Sequence, residues 1–302
     1  MKKRDSFNKL SCISLLLIGI MLQSNIRANQ LFAIAQSVDT IGVGCVQVTG
    51  YAPVNGLKMY YEIHGKGSPI ILLHGAYMSI EGPIRQLSDS LSKKRKVIIT
   101  ELQGHGRTGD IDRPLSYEQM ADDVAGLLRY LKVDSADVFG YSMGGSVAIQ
   151  LAIRHSYIVH KMIIASSAVS DDGIHVELKK MIPLITPEMF QGSPPKIQYD
   201  TLSPNPDNWS KLINKFKKLE MTPYNWIEPY SNLHKPQLLI FGDSDAVTLS
   251  HAIEMFNKLG GGVMGDLKGL HESQLAIIPG TTHQGIMGKL NFLVPMINQF
   301  LK

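Results

Sequence analysis

The chain has 302 residues, 44% of them apolar, and a formal net charge of +4. That length and apolar share can fill one large core with an insertion, and they argue against a disordered or low-complexity chain. The charge is no nucleic-acid footprint: five of the 30 basic and one of the 26 acidic side chains fall in residues 1–35, so the remainder balances at 25 of each sign and offers a polyanion no basic face.

Met1-Lys2-Lys3-Arg4 with Lys9, followed by the apolar run from Ile13 to Leu22, has the order of a secretory signal. The run breaks at Gln23-Ser24-Asn25, short of the roughly 20 apolar residues that a membrane span needs. Residues 1–35 are therefore expected to be removed, after Ala28 or after Ala35. The mature protein would be exported, periplasmic or secreted, without stable membrane insertion. Of the two cysteines, Cys12 falls in the signal and Cys45 remains alone, so no intramolecular disulfide is expected.

The mature chain opens with a hairpin: alternating runs flank Asn55-Gly56, a strong two-residue turn signal. Pro69 to Leu73 and Lys96 to Thr100 are short, continuously apolar strands of the kind buried on both faces of a parallel sheet, with a helix near Ile80 to Leu91 between them. Gly104 to Gly109 spells G-x-G-x-x-G, but Asp110 to Pro114 follows where a phosphate-binding helix should begin, so a dinucleotide site is rejected. Ser116-Tyr117-Glu118-Gln119 is a better helix start. Ala136 to Phe139 and Val159 to Ala165 are further strands, flanking a small-residue helix from Ser146 to Ile153. The rhythm then stops. Residues 170–233 are rich in proline, Met, Tyr and Trp, with amphipathic stretches at Val176 to Leu184 and Trp209 to Leu219 and no buried strand, and are read as a helical lid. Asn208-Trp209-Ser210 matches a glycosylation triplet by chance. Strands at Gln237 to Phe241 and Gln274 to Ile278, with helices at Leu249 to Leu259 and Leu290 to Leu301, complete two core pieces, 46–169 and 234–302.

Gly140-Tyr141-Ser142-Met143-Gly144 sits between strand and helix, and is a G-x-S-x-G nucleophile elbow. A serine hydroxyl needs a base, and the base needs a group to hold its tautomer. His283 follows the last strand and Asp245 the one before it, where strand ends converge. His251 and His271 compete for the first role and Asp243 for the second; Asp171, Asp172 and Glu228 lie too near the lid. The backbone amides of Met143 and Ala76 are the candidate oxyanion donors. His74 is read as a brace for its loop. Tyr77, Tyr224 and Trp226 are candidates for an apolar substrate pocket.

Leu73-His74-Gly75, Gly104-His105-Gly106-Arg107-Thr108, Gly140 to Gly145, Gly242-Asp243-Ser244-Asp245 and Thr282-His283 together resemble the α/β-hydrolase superfamily, over about Leu57 to Leu301. The resemblance implies an α/β fold with a mostly parallel central sheet flanked by helices and a lid. It also implies a serine hydrolase with no metal or organic cofactor, acting on a small-molecule ester or lactone. The same scaffold carries carbon-carbon bond hydrolases and cofactor-free haloperoxidases, and could serve as a ligand-binding sensor. Gln103 stands where an acidic residue is frequent, and a secretory signal is unusual among the cytosolic members. Serine at 142 argues against dehalogenase or epoxide hydrolase chemistry, which uses aspartate there in similar proteins.

Overall fold

The structure, a computed structural model, describes residues 46–302. The expected signal at 1–35, its alternative cleavage points, Cys12 and Cys45 lie outside the described residues.

Asn55 and Gly56 both take positive φ, 48° and 86°, which is the backbone a tight two-residue hairpin requires. They join β1 (Val46–Val54) to β2 (Leu57–His64) in an antiparallel ladder that ends at Val54 opposite Leu57. Six further strands follow: β3 (Pro69–Leu73), β4 (Lys96–Thr100), β5 (Ala136–Tyr141), β6 (Val159–Ala165), β7 (Gln237–Ser244) and β8 (Gln274–Thr282). They form one sheet in the order β1-β2-β4-β3-β5-β6-β7-β8. β1 and β2 run antiparallel to their neighbours; every pairing from β4 to β8 is parallel.

Alternate side chains of each strand enter different cores, as the two-residue period of a strand dictates. Ile71, Leu73, Ile98, Val138 and Leu239 pack on one face. That face is covered by α2 (Tyr117–Tyr130) and α3 (Met143–Arg154). Ile70, Leu72, Val97, Phe139 and Leu238 pack on the other, under α1 (Pro83–Leu91) and α10 (Leu290–Phe300). With both faces covered there is no polar face to alternate with, hence the unbroken apolar runs. α2 begins where the sequence signals it: Ser116 Oγ accepts from the Gln119 N–H at 3.1 Å. Residues 104–109 form turns, and the next helix is α2.

Between β6 and β7 lie four helices joined by 3₁₀ turns: α4 (Val176–Met181), α5 (Pro194–Leu202), α6 (Trp209–Glu220) and α7 (Ile227–Ser231). The amphipathic stretches foreseen there fall on α4 with the turn after it, and on α6. α5 begins on Pro194-Pro195; proline is tolerated in a first helical turn, where its missing N–H has no partner to lose. β8 also runs four residues beyond Ile278, through Pro279. It is the edge strand, where an absent N–H costs no ladder bond. α8 (Leu249–Lys258) and the short α9 (Gly265–Lys268) connect β7 to β8. Among the described residues no helix is long and apolar enough to cross a membrane.

Candidate active site

Ser142 is the single residue between β5 and α3, and it sits at φ 52°, ψ −121°. A non-glycine residue with positive φ is strained and persists only where its surroundings hold it there. Here the surroundings are backbone. A Cβ on Gly140 would stand 2.3 Å from the Gly144 carbonyl oxygen, and one on Gly144 2.3 Å from that of Leu73. The Ser142 N–H is itself donated to the Ala165 carbonyl at 2.9 Å. Turned outward in this way, the hydroxyl lies at the positive end of α3.

Ser142 Oγ is 2.9 Å from His283 Nε2, and His283 Nδ1 is 2.8 Å from Asp245 Oδ1. An ionised carboxylate only accepts, so Nδ1 carries the proton and Nε2 is left as acceptor for the serine hydroxyl. Burial pushes the Asp245 carboxyl up, but the bonds from His283, the Ser166 hydroxyl and the Gly242 N–H outweigh it and hold the group below its usual range. Asp245 is thereby kept charged beneath the imidazole. The Tyr141 hydroxyl donates to the His283 carbonyl at 2.9 Å and fixes the loop.

The competing residues are committed elsewhere. Asp243 accepts from the Gly280 and Thr281 N–H groups at 2.8 and 3.0 Å, tying β7 to β8. His251 accepts from the Val169 N–H at 3.2 Å and pairs with Glu254 at 3.1 Å; His271 accepts from Ser273. His74 takes its N–H bond from Leu102 on Nε2 and so donates through Nδ1 to the Gly75 carbonyl at 2.8 Å. Burial brings its pKa down to about 4, so it is a neutral strut. Gln103, in the position where an acid is frequent, accepts from Arg113 and donates to Asp110.

A cavity of about 360 Å³ opens over Ser142 and His283. Met143 lines it, and Tyr224 faces it from the insertion. The Met143 and Ala76 N–H groups have no acceptor among the described residues, and Ala76 follows β3, the strand beside β5. Two expectations need correction. Trp226 does not line this cavity: its ring is stacked behind Tyr224, 4.3 Å between centroids, and abuts Tyr117 at 5.4 Å. Tyr77 is wedged against Phe190 and Phe216, 5.0 Å from each, and borders a smaller cleft.

Three residues escape the sequence reading. Ser166 follows β6 with φ 53° and bonds Asp245; its place at a strand end was the available signal. Tyr117 and Glu220 face the cavity from α2 and α6, and nothing in their sequence context marks them. Among the described residues no group of three or more His, Cys, Asp or Glu is placed to hold a metal.

A family model described as alpha/beta hydrolase fold matches residues 68–208. A candidate carbamate hydrolase of Azorhizobium caulinodans is 32% identical over 153 residues, 49% of this chain and 57% of its own length; the chain spans about half the length of the curated relatives it matches. Among solved structures, a meta-cleavage product hydrolase from Pseudomonas fluorescens IP01 aligns at a TM-score of 0.64, 19% identical, over 85% of this chain and 97% of its own. A bacterial membrane phospholipase A aligns at 0.68, 19% identical, over 98% of each chain. At that identity the structural likeness speaks for the fold alone, and the three names differ in what is cleaved.

Proposed function

We propose that this chain, which has the α/β-hydrolase fold, is a serine hydrolase cleaving a small ester or lactone through an acyl-enzyme on Ser142. The observation that carries this is the unbroken hydrogen-bonded line from Ser142 through His283 to Asp245. Nε2 of His283 takes the hydroxyl proton as Oγ attacks the carbonyl carbon, and Asp245 balances the imidazolium that forms. The negative oxygen falls between the N–H groups of Met143 and Ala76, at the positive end of α3; loss of one such donor typically costs about 10²- to 10³-fold in turnover. His283 then returns the proton to the leaving alkoxide, and water, deprotonated by the same imidazole, releases the acid. Residues 170–233 act as the lid, and Tyr224 as part of the pocket.

Turnover of short p-nitrophenyl esters and stoichiometric labelling by a fluorophosphonate test the reading. Ser142→Ala is expected to lose both, with turnover down on the order of 10⁴-fold or more. Labelling that survives in Ser142→Ala would overturn it. So would cleavage of carbon-carbon bonds by a protein inert to every ester and lactone, which would move the triad to another reaction.

A further inference from the structure

Glu220, the last residue of α6, lies on the wall of the same cavity as Ser142 and His283. Its side chain keeps accessible surface, yet much of the protein lies around its carboxyl. Burial raises its carboxyl above the usual range, with His283 and the Tyr117 hydroxyl pulling the other way. No lysine or arginine among the described residues forms an ion pair with it. The one lysine on the cavity wall, Lys179, is spoken for: its ammonium donates to the Asp171 carboxylate at 3.0 Å and to the Asp171 carbonyl at 3.1 Å. The cavity therefore contains a carboxyl group without a counter-ion. Independently of charge, Tyr117 and Tyr224 bring two phenol rings to this wall, their centroids 5.8 Å apart and their planes inclined by 62°. An aromatic corner beside an uncompensated carboxylate matches an ammonium group, which gains from ring faces as well as from the opposite charge. A carboxylate-bearing substrate would meet Glu220 as a like charge.

We propose that Glu220, Tyr117 and Tyr224 form a subsite for a cationic group, so that the favoured substrates are esters carrying an ammonium charge a few bonds from the scissile carbonyl. The subsite rests on the serine hydrolase reading for its ester, though not for its cation. Binding there restores a partner to Glu220, so a neutral ester of equal shape gives up that gain.

The test compares kcat/KM at pH 7.5 for three p-nitrophenyl esters of matched length: the cationic 4-(trimethylammonio)butanoate, its uncharged isostere 5,5-dimethylhexanoate, and the anionic glutarate monoester. The cationic ester is expected to lead its isostere by about ten- to a hundredfold. Glu220→Gln should cut that ratio by about tenfold or more, and Glu220→Lys should turn the preference toward the glutarate, an outcome that misfolding does not produce. In parallel, phenyltrimethylammonium is titrated calorimetrically into Ser142→Ala, with and without Glu220→Gln. Absence of turnover with all esters, together with cation binding lost in Glu220→Gln, would sink the hydrolase reading and leave the subsite standing. A wild-type protein without the cationic preference, a ratio untouched by Glu220→Gln, or an equal fall for all three esters, which would place Glu220 in the service of His283, would each overturn the subsite.

Discussion

The sheet and the segment inserted between β6 and β7 are held together by opposite means. In the sheet, Ile70, Ile71, Leu72 and Leu73 are all wholly buried and each strand end is fixed by its neighbour's backbone. In the insertion, short helices and 3₁₀ turns leave Val176, Leu184, Met189 and Ile197 exposed. Other large side chains of it, Phe216 and Tyr230 among them, are buried in the core of one sheet face, and specific polar attachments hold it as well. The Trp226 N–H reaches Val169 at 2.7 Å, and Lys215 reaches Asp110 at 2.7 Å and the carbonyls of Ile111 and Arg113 at 2.7 and 2.8 Å. The triad's geometry comes from strand ends of the sheet, whereas the cavity wall carrying Tyr224 and Glu220 comes from the inserted segment.

The largest expected effect is Gly144→Ala. With the new Cβ 2.3 Å from the Leu73 carbonyl oxygen and 2.6 Å from that of His74, β3 and α3 must part, and a loss of at least about 4 kcal/mol is expected in urea unfolding. A variant as stable as the parent would show that the elbow is soft and break the contrast. The second effect is on acid stability. His74 is neutral in the fold with a pKa near 4, whereas the unfolded chain takes up the proton near the ordinary histidine value of about 6.5. Stability is then intact above pH 6.5 and falls as pH drops toward 4, by about 3 kcal/mol from this residue; buried His105, also held low by burial, pulls the same way. Urea midpoints that stay level from pH 7 to 4.5 would refute this. The smallest is Lys215→Ala, which strips a nearly buried Asp110 of its cation. A loss of about 2 kcal/mol is expected, concentrated in the insertion, so limited proteolysis should cut within 170–233 while the sheet stays protected. Cleavage spread evenly over the chain would mean the two regions melt as one.

What was legible in the sequence follows the same division. The elbow, His283 and Asp245 could be placed because a parallel sheet delivers its strand ends to one crevice, so position relative to an apolar run located each side chain before any coordinates did. His251 and His271 stayed as rivals, and the structure separates them from His283 by the bonds that hold their rings elsewhere. The insertion gave no such rule. Its aromatic content was visible, but which ring faces the cavity depends on packing between short helices, so Tyr224 was placed there and Trp226, one layer behind, could not be told from it. Tyr77 misled for a related reason: it lies in the loop after β3, beside Ala76, yet at φ 60° its ring packs against Phe190 and Phe216. Glu220 was invisible, since after Lys217-Lys218-Leu219 it reads as one more solvated charge at a helix end.

The general base of the proposed reaction rides on the outermost strand. β8 has a neighbour on one side alone, and the carboxylate of Asp243 clasps it to β7 at Gly280 and Thr281, two residues short of the imidazole. A slip of one residue there would shift the ring about 3.3 Å and send alternate side chains to the opposite face. The proposed proton transfer is in that sense a readout of strand alignment: Asp243, with no hydrogen bond to Ser142 or His283, adds two side-chain bonds to the ladder that carries the imidazole.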